Sequence, residues 1–260
     1  MKVQPFLFVA LALLLSNCQS ASEPKDAASS PTAADTNPPA QGFNAEGSDP
    51  RAIEIADSVM LAMGGRQSWD TTRYFHWNFF GMRTLLWDKQ EGRVKITMLP
   101  DSTQMVVDLD TGEGEIYSQD KKITDEAALR EGLQQAKSIW INDAYWLFMP
   151  FKLKDSGVTL EYLKADTTQA GQAADLLQLT FDSVGDTPQN KYHVWVGKED
   201  RLVRQWAYFA NATDEEPKFV LPWDNYRTYG DIMLSGDRGE RQITDIKVME
   251  EVPRAAFAVN

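Results

Sequence analysis

Tyr74-Phe75-His76-Trp77-Asn78-Phe79-Phe80 is seven residues in which Phe75, Trp77 and Phe79 alternate with Tyr74, His76, Asn78 and Phe80. A period of two in a segment this rich in aromatic side chains predicts a strand covered on both faces. The same period continues downstream at 85–87, at Val94, Ile96 and Met98, and at Met105, Val107 and Leu109. Turn-forming residues at 88–92, 100–103 and 110–114 join these runs. Such connections are too short for parallel crossovers, so the segment reads as an antiparallel meander. The expected class is α+β, mainly antiparallel β.

Upstream lies a helix. Asp49 suits the N-cap and Pro50 the first turn, Ile53, Ala56, Met60 and Met63 recur at helical spacing, and Gly64-Gly65 ends it. Residues 19–47 are Ala, Ser, Pro, Thr, Asn and Asp with almost no large apolar side chain. They cannot bury enough surface to offset ordering entropy and read as a disordered tether of about 30 Å mean reach. Before them, Lys2, an apolar run over 6–15 and Leu15-Ser16-Asn17-Cys18 resemble a lipoprotein signal. The apolar run is too short to span a bilayer. Cys18, the one cysteine, is the expected lipidation site. The chain divides accordingly into a signal peptide (1–17), a lipidated cysteine with its tether (18–48) and a folded domain (49–258). The expected place is the cell envelope, on the periplasmic side or at the outer membrane.

Downstream of the meander, Asp125 caps a helix carrying Ala128, Leu129, Leu133, Ala136 and Trp140 near one face. A second short apolar segment, 141–148, stops before Pro150. Strands resume at 158–163, 176–181, 192–196, 202–209, 219–229 and 243–252. About ten strands in one sheet must curl, leaving the helices to plug the concave side.

Two stretches carry a family resemblance. Ala62-Met63-Gly64-Gly65 with Ser68-Trp69 resembles the start of LolA-like domains, the superfamily of outer-membrane lipoprotein-sorting and RseB-like proteins. Asp143-Ala144-Tyr145-Trp146-Leu147-Phe148-Met149-Pro150-Phe151-Lys152-Leu153, with Asp155-Ser156-Gly157-Val158, is similar to a signature of LolA-like lipoproteins common in Bacteroidetes. The resemblance implies an incomplete, half-open β-barrel of about eleven strands wrapped around helices, with an apolar cavity between them. It also implies handling of acyl chains or lipids. The soluble sorting carrier of that superfamily has no lipid anchor, so Cys18 favours a stationary receiver over a shuttle.

Composition narrows the chemistry. A net charge of −12 argues against nucleic acid and against docking flat on anionic lipid. No Walker loop, nucleophile elbow or Cys/His cluster occurs, and no cofactor or metal is expected. Asp108-Leu109-Asp110-Thr111-Gly112 imitates a calcium loop, but Glu113 and Gln119 occupy positions that need Gly and a bidentate Glu; a hairpin turn explains it better. His76 and His193 read as half-buried strand residues.

The eight Trp, twelve Phe and eight Tyr are the remaining signal. In a half-open barrel, large rings line an acyl-chain cavity; the candidates are Trp77, Phe79, Trp87, Trp140, Trp146, Trp195 and Trp206. Arg83 and Arg93, near strand ends, are candidates for a head group. The leading expectation is a non-enzymatic, monomeric, lipid-anchored protein binding a hydrophobic ligand. The rivals are a protein–protein or envelope-stress module, and a hydrolase built on His76 or His193.

Overall fold

The computed structural model describes Met1 and residues 37–119 and 121–259. Cys18, the signal peptide and the tether as far as residue 36 lie outside the described residues. Among those described, three α-helices, α1 (Pro50–Ala62), α2 (Arg66–Thr71) and α3 (Glu126–Phe148), accompany fifteen strands.

The meander is as the alternation predicts. Strands β1 (Tyr74–Phe79), β2 (Arg83–Asp88), β3 (Arg93–Met98), β4 (Gln104–Asp108), β5 (Gly114–Ser118) and β6 (Lys121–Lys122) pair in sequence order. β15 (Arg241–Met249) returns to pair antiparallel with β1, and β14 (Asp237–Arg238) flanks it, completing eight strands. A second sheet runs β11-β10-β9-β8-β7, built from β7 (Val158–Thr167), β8 (Ala173–Phe181), β9 (Lys191–Gly197), β10 (Val203–Phe209) and β11 (Phe219–Pro222). The hairpin of β12 (Arg227–Tyr229) and β13 (Ile232–Leu234) is separate. The sheets do not close into a ring; this is an incomplete barrel around α3.

The strand count exceeds the ten or eleven expected because pieces of two or three residues carry no readable period. The strand expected over 219–229 is divided: Pro222 cannot donate to a ladder and Asn225 turns the chain with φ +54°.

The helices also refine the reading. Asp49 caps α1 by accepting from the Arg51 amide at 2.8 Å. At its end Gly64 has φ +112°, and a Cβ there would lie 2.2 Å from the Asp231 carbonyl oxygen, so only glycine fits. α2 was not anticipated; it occupies the turn between Gly65 and β1 and buries Trp69. α3 is one helix of 23 residues, not two segments. Nothing between Trp140 and Ile141 breaks it, and the one ionised group that would resist burial, Asp143, is paired. Its oxygens accept from Arg83 Nε and Nη2, each at 2.7 Å.

Residues 37–48 correct the expected tether boundary. They lie beside the residues that lead into β7, the edge strand of the five-stranded sheet, and beside its start: the Ala40 amide donates to the Lys154 carbonyl at 3.0 Å, Gly157 to Gly42 at 2.8 Å, and Asn44 to Val158 at 3.1 Å. Asn37 Nδ2 and Lys154 Nζ both donate to buried Asp57 Oδ1, at 2.7 and 2.5 Å. These polar residues are ordered by backbone pairing and one buried charge, which composition does not register.

The core centres on Phe148, whose ring centroid lies 4.8–5.6 Å from those of Trp69, Phe75, Trp77 and Trp87. Gly132 lets α3 approach β5 closely, since a Cβ would sit 2.4 Å from Ile116 Cδ1.

Candidate functional site

α3 buries one side against the eight-stranded sheet; its C-terminal half turns the other toward the five-stranded sheet. Between them lies a cleft of about 510 Å³. Trp140, Tyr145 and Trp146 reach it from α3, Phe181, Tyr192, Trp206, Tyr208 and Phe219 from the sheet. Strand parity explains the second group. Tyr192 on β9, Trp206 and Tyr208 on β10 and Phe219 on β11 share the face that looks toward the helix, because alternate residues share a face.

The rings pack as one layer. Tyr192 stacks on Trp206 at 5.5 Å with planes 3° apart, and Tyr208 on Phe219 at 5.3 Å. Trp146 meets Trp206 edge-on at 4.8 Å, and Tyr145 lies 5.1 Å from Tyr192. Edge-to-face pairs set a positive ring edge against a negative face, which suits buried indole N–H groups. Trp140 Nε1, Trp206 Nε1 and Tyr145 Oη have no hydrogen-bond partner among the described residues.

Burial raises the Tyr145 phenol well above its ordinary value, with smaller effects from Tyr192 and Asp155. Burial also pushes Tyr192 up to about 12, with Tyr208 adding to the shift and a hydrogen bond to Asn190 opposing it. Both phenols therefore stay neutral near pH 7.

Polar groups line one border of the cleft. Lys152 Nζ contacts Asp155 Oδ2 at 2.5 Å, and Ser156, Asp186 and Asn190 complete that border. Asn190 Nδ2 donates to Thr187 Oγ1 at 2.6 Å.

The sequence candidates separate into three groups. Trp140, Trp146 and Trp206 line the cleft. Trp77, Phe79 and Trp87 face α3 from the eight-stranded sheet and are packed in the core. Trp195 lies on the far face of the five-stranded sheet with Leu176 and Phe209, its Nε1 donating to Asp166 Oδ2 at 2.9 Å. Tyr145, Phe181, Tyr192, Tyr208 and Phe219 were missed. Parity was the available signal: within one strand, Tyr192 and Trp195 cannot share a face.

Of the two arginine candidates, Arg83 is committed to Asp143 and Arg93 lies 3.9 Å from Glu91. Neither histidine lines the cleft. His76 Nδ1 lies 3.0 Å from the Asp245 carbonyl oxygen, and His193 Nε2 lies 3.2 Å from Gln178 Oε1. Asp108 accepts from the Asp110 and Thr111 amides in a hairpin turn between β4 and β5. Among the described residues no cluster of three or more His, Cys, Asp or Glu could hold a metal, and no helix is long and apolar enough to cross a membrane.

No protein-family model matches the chain, and no curated protein matches it. Among solved structures, the chain is similar to a DUF1329 family protein from Desulfovibrio piger, with 13% identity and TM-score 0.45 over 81% of this chain and 98% of the other. It is similar to a LolA superfamily protein from Nitrosomonas europaea, with 9% identity and TM-score 0.37 over 78% and 97%. It is also similar to the MucA/MucB complex of Pseudomonas aeruginosa, with 13% identity and TM-score 0.24 over 80% and 61%.

Proposed function

We propose that this chain is a lipid-anchored envelope protein that holds one hydrophobic chain, from a lipid or a lipoprotein acyl group, in the aromatic cleft. The observation carrying this reading is the cleft itself. Its volume of about 510 Å³ falls within the ~300–1,000 Å³ of small-molecule sites. Aromatic rings from α3 and the five-stranded sheet make up most of its apolar wall, which selects for apolar area over directional contacts. Each buried methylene contributes ~0.8 kcal/mol, so a sixteen-carbon chain gains up to ~12 kcal/mol before association costs of ~4–15 kcal/mol. Micromolar or weaker affinity is the expected outcome.

The test is native purification followed by mass spectrometry for co-purified lipid, with titration of delipidated protein by hexadecanol. Cleft binding should change tryptophan fluorescence, and Ala144→Trp, which fills space beside Tyr145, should abolish the change in a protein that still melts cooperatively. Protein that purifies empty and shows no response to added chains would overturn the reading.

A further inference from the structure

We infer that the ligand of this cleft carries an anionic head group, a carboxylate or phosphate, and that Arg241 is the residue that meets it. The inference rests on the cleft reading above and adds the chemistry of the ligand's polar end. Arg241 opens β15 and is exposed. Its guanidinium carbon lies 5.7 Å from the ring centroid of Trp146 and 5.9 Å from that of Phe219. Both rings line the cleft. The cation therefore stands at the seam between the two sheets, at the β11 side of the cleft.

Arg241 has no carboxylate partner; the same holds for Arg130, Arg227 and Arg254 among the described residues, but of these four only Arg241 lies against two rings of the cleft. Arg66, Arg73, Arg83 and Arg204 all lie within 3.2 Å of an acid. No ion pair occupies Arg241 among the described residues. A second guanidinium stands behind the same tryptophan. Arg238 is fully buried, lies 3.3 Å from the Trp223 ring centroid, and donates to the Trp146 carbonyl at 2.7 Å and the Ser235 carbonyl at 3.0 Å. Those bonds go to carbonyls, so its positive charge is not cancelled by a bonded carboxylate. Two cations thus flank Trp146, one fixed inside and one free outside.

The opposite border, beside β7, carries Asp155 and Asp186. Lys152 pairs with Asp155 on that border, which leaves Arg241, on the β11 side, as the cation beside the rings with no ion pair among the described residues. An amphiphile lying in the cleft places an anionic head by Arg241 and its chain across the rings. The net charge of −12 does not prevent this. Fields from distant surface acids are screened beyond ~8–10 Å at physiological salt, whereas a guanidinium in contact binds carboxylate or phosphate through paired N–H donors.

The experiment titrates the delipidated full chain, by calorimetry and tryptophan fluorescence, with hexadecanoate, hexadecanol and a sixteen-carbon lysophosphatidate. The anions should bind about tenfold more tightly than the alcohol, and the stronger of the two identifies a fatty-acid or phospholipid source. Arg241→Gln should bring the anions to within about threefold of the alcohol and leave the alcohol's affinity unchanged, with Arg241→Lys restoring part of the difference. Equal affinity for acid and alcohol, or equal weakening of both by Arg241→Gln, would overturn the head-group assignment while leaving the cleft reading in place. Binding of none of the three would overturn both.

Discussion

Asp143 and His193 show how single side chains control this protein. Asp143 is fully buried in α3, and burial pushes its carboxyl above the ordinary value while Arg83 and Asn142 pull it back. Removing one partner of a buried pair costs about 3–5 kcal/mol because the other charge is left uncompensated. Arg83→Met is therefore expected to destabilise the protein by about 3 kcal/mol at pH 7.5 in urea unfolding, near the lower end of that range because Arg83 is partly exposed. The loss should shrink when the measurement is repeated at lower pH, because the raised Asp143 carboxyl takes up a proton ahead of an ordinary one. An equal loss at both pH values would place the effect in packing instead. His193 shifts the other way: burial first, then Lys191 and Lys164, lower it from 6.5 to about 4. The unfolded chain binds the extra proton between those values, so stability rises with pH across that window. It is full above about 6.5, falls toward pH 4, and levels off below. His193→Gln should flatten the pH 4–6.5 limb of the urea midpoint; identical slopes in the two proteins would refute a buried neutral imidazole.

Among the structural elements, the 37–48 strap and α3 matter most. The strap covers the start of β7, at 158–160, and an uncovered edge strand is a template for pairing with other chains. Protein starting at residue 49 should melt at least ~3 °C lower than protein starting at residue 36 and should aggregate on concentration, as scanning calorimetry and light scattering would reveal. Unchanged melting would show that the pairing contributes nothing. α3 depends on its start as well: Asp125 accepts from the Ala128 amide at 2.9 Å, and Asp125→Ala is expected to cost ~1 kcal/mol.

For the protein as it sits in the cell, anchoring is the first question. Cys18→Ser is expected to move the protein from the membrane fraction to the soluble fraction and to prevent incorporation of labelled fatty acid; membrane retention without label would refute the lipidated cysteine. Anchoring and cleft occupancy are separable, since the strap reaches β7 and Lys154 on the side of Asp155 and Ser156. A lipid-anchored chain would hold that border of the cleft toward its tether.

Strand alternation at 74–80 and 192–208 and the cap at Asp49 are local properties, and each is legible because backbone geometry forces side chains to alternate or recur at fixed spacing. From these followed the antiparallel meander, α1 and the aromatic surplus. Local spacing says nothing of what lies opposite a face. Trp77 and Trp206 look alike in sequence, yet Trp77 meets Phe148 in solid core while Trp206 borders the cleft. The difference lies in α3, which fills the space before one sheet and leaves a gap before the other. The pairing of arginines was equally hidden: Arg83 and Arg241 both sit at strand starts, and only the fold gives one of them a buried carboxylate. Periodicity is written in neighbours along the chain; cavities and unpaired charges arise between residues a hundred positions apart.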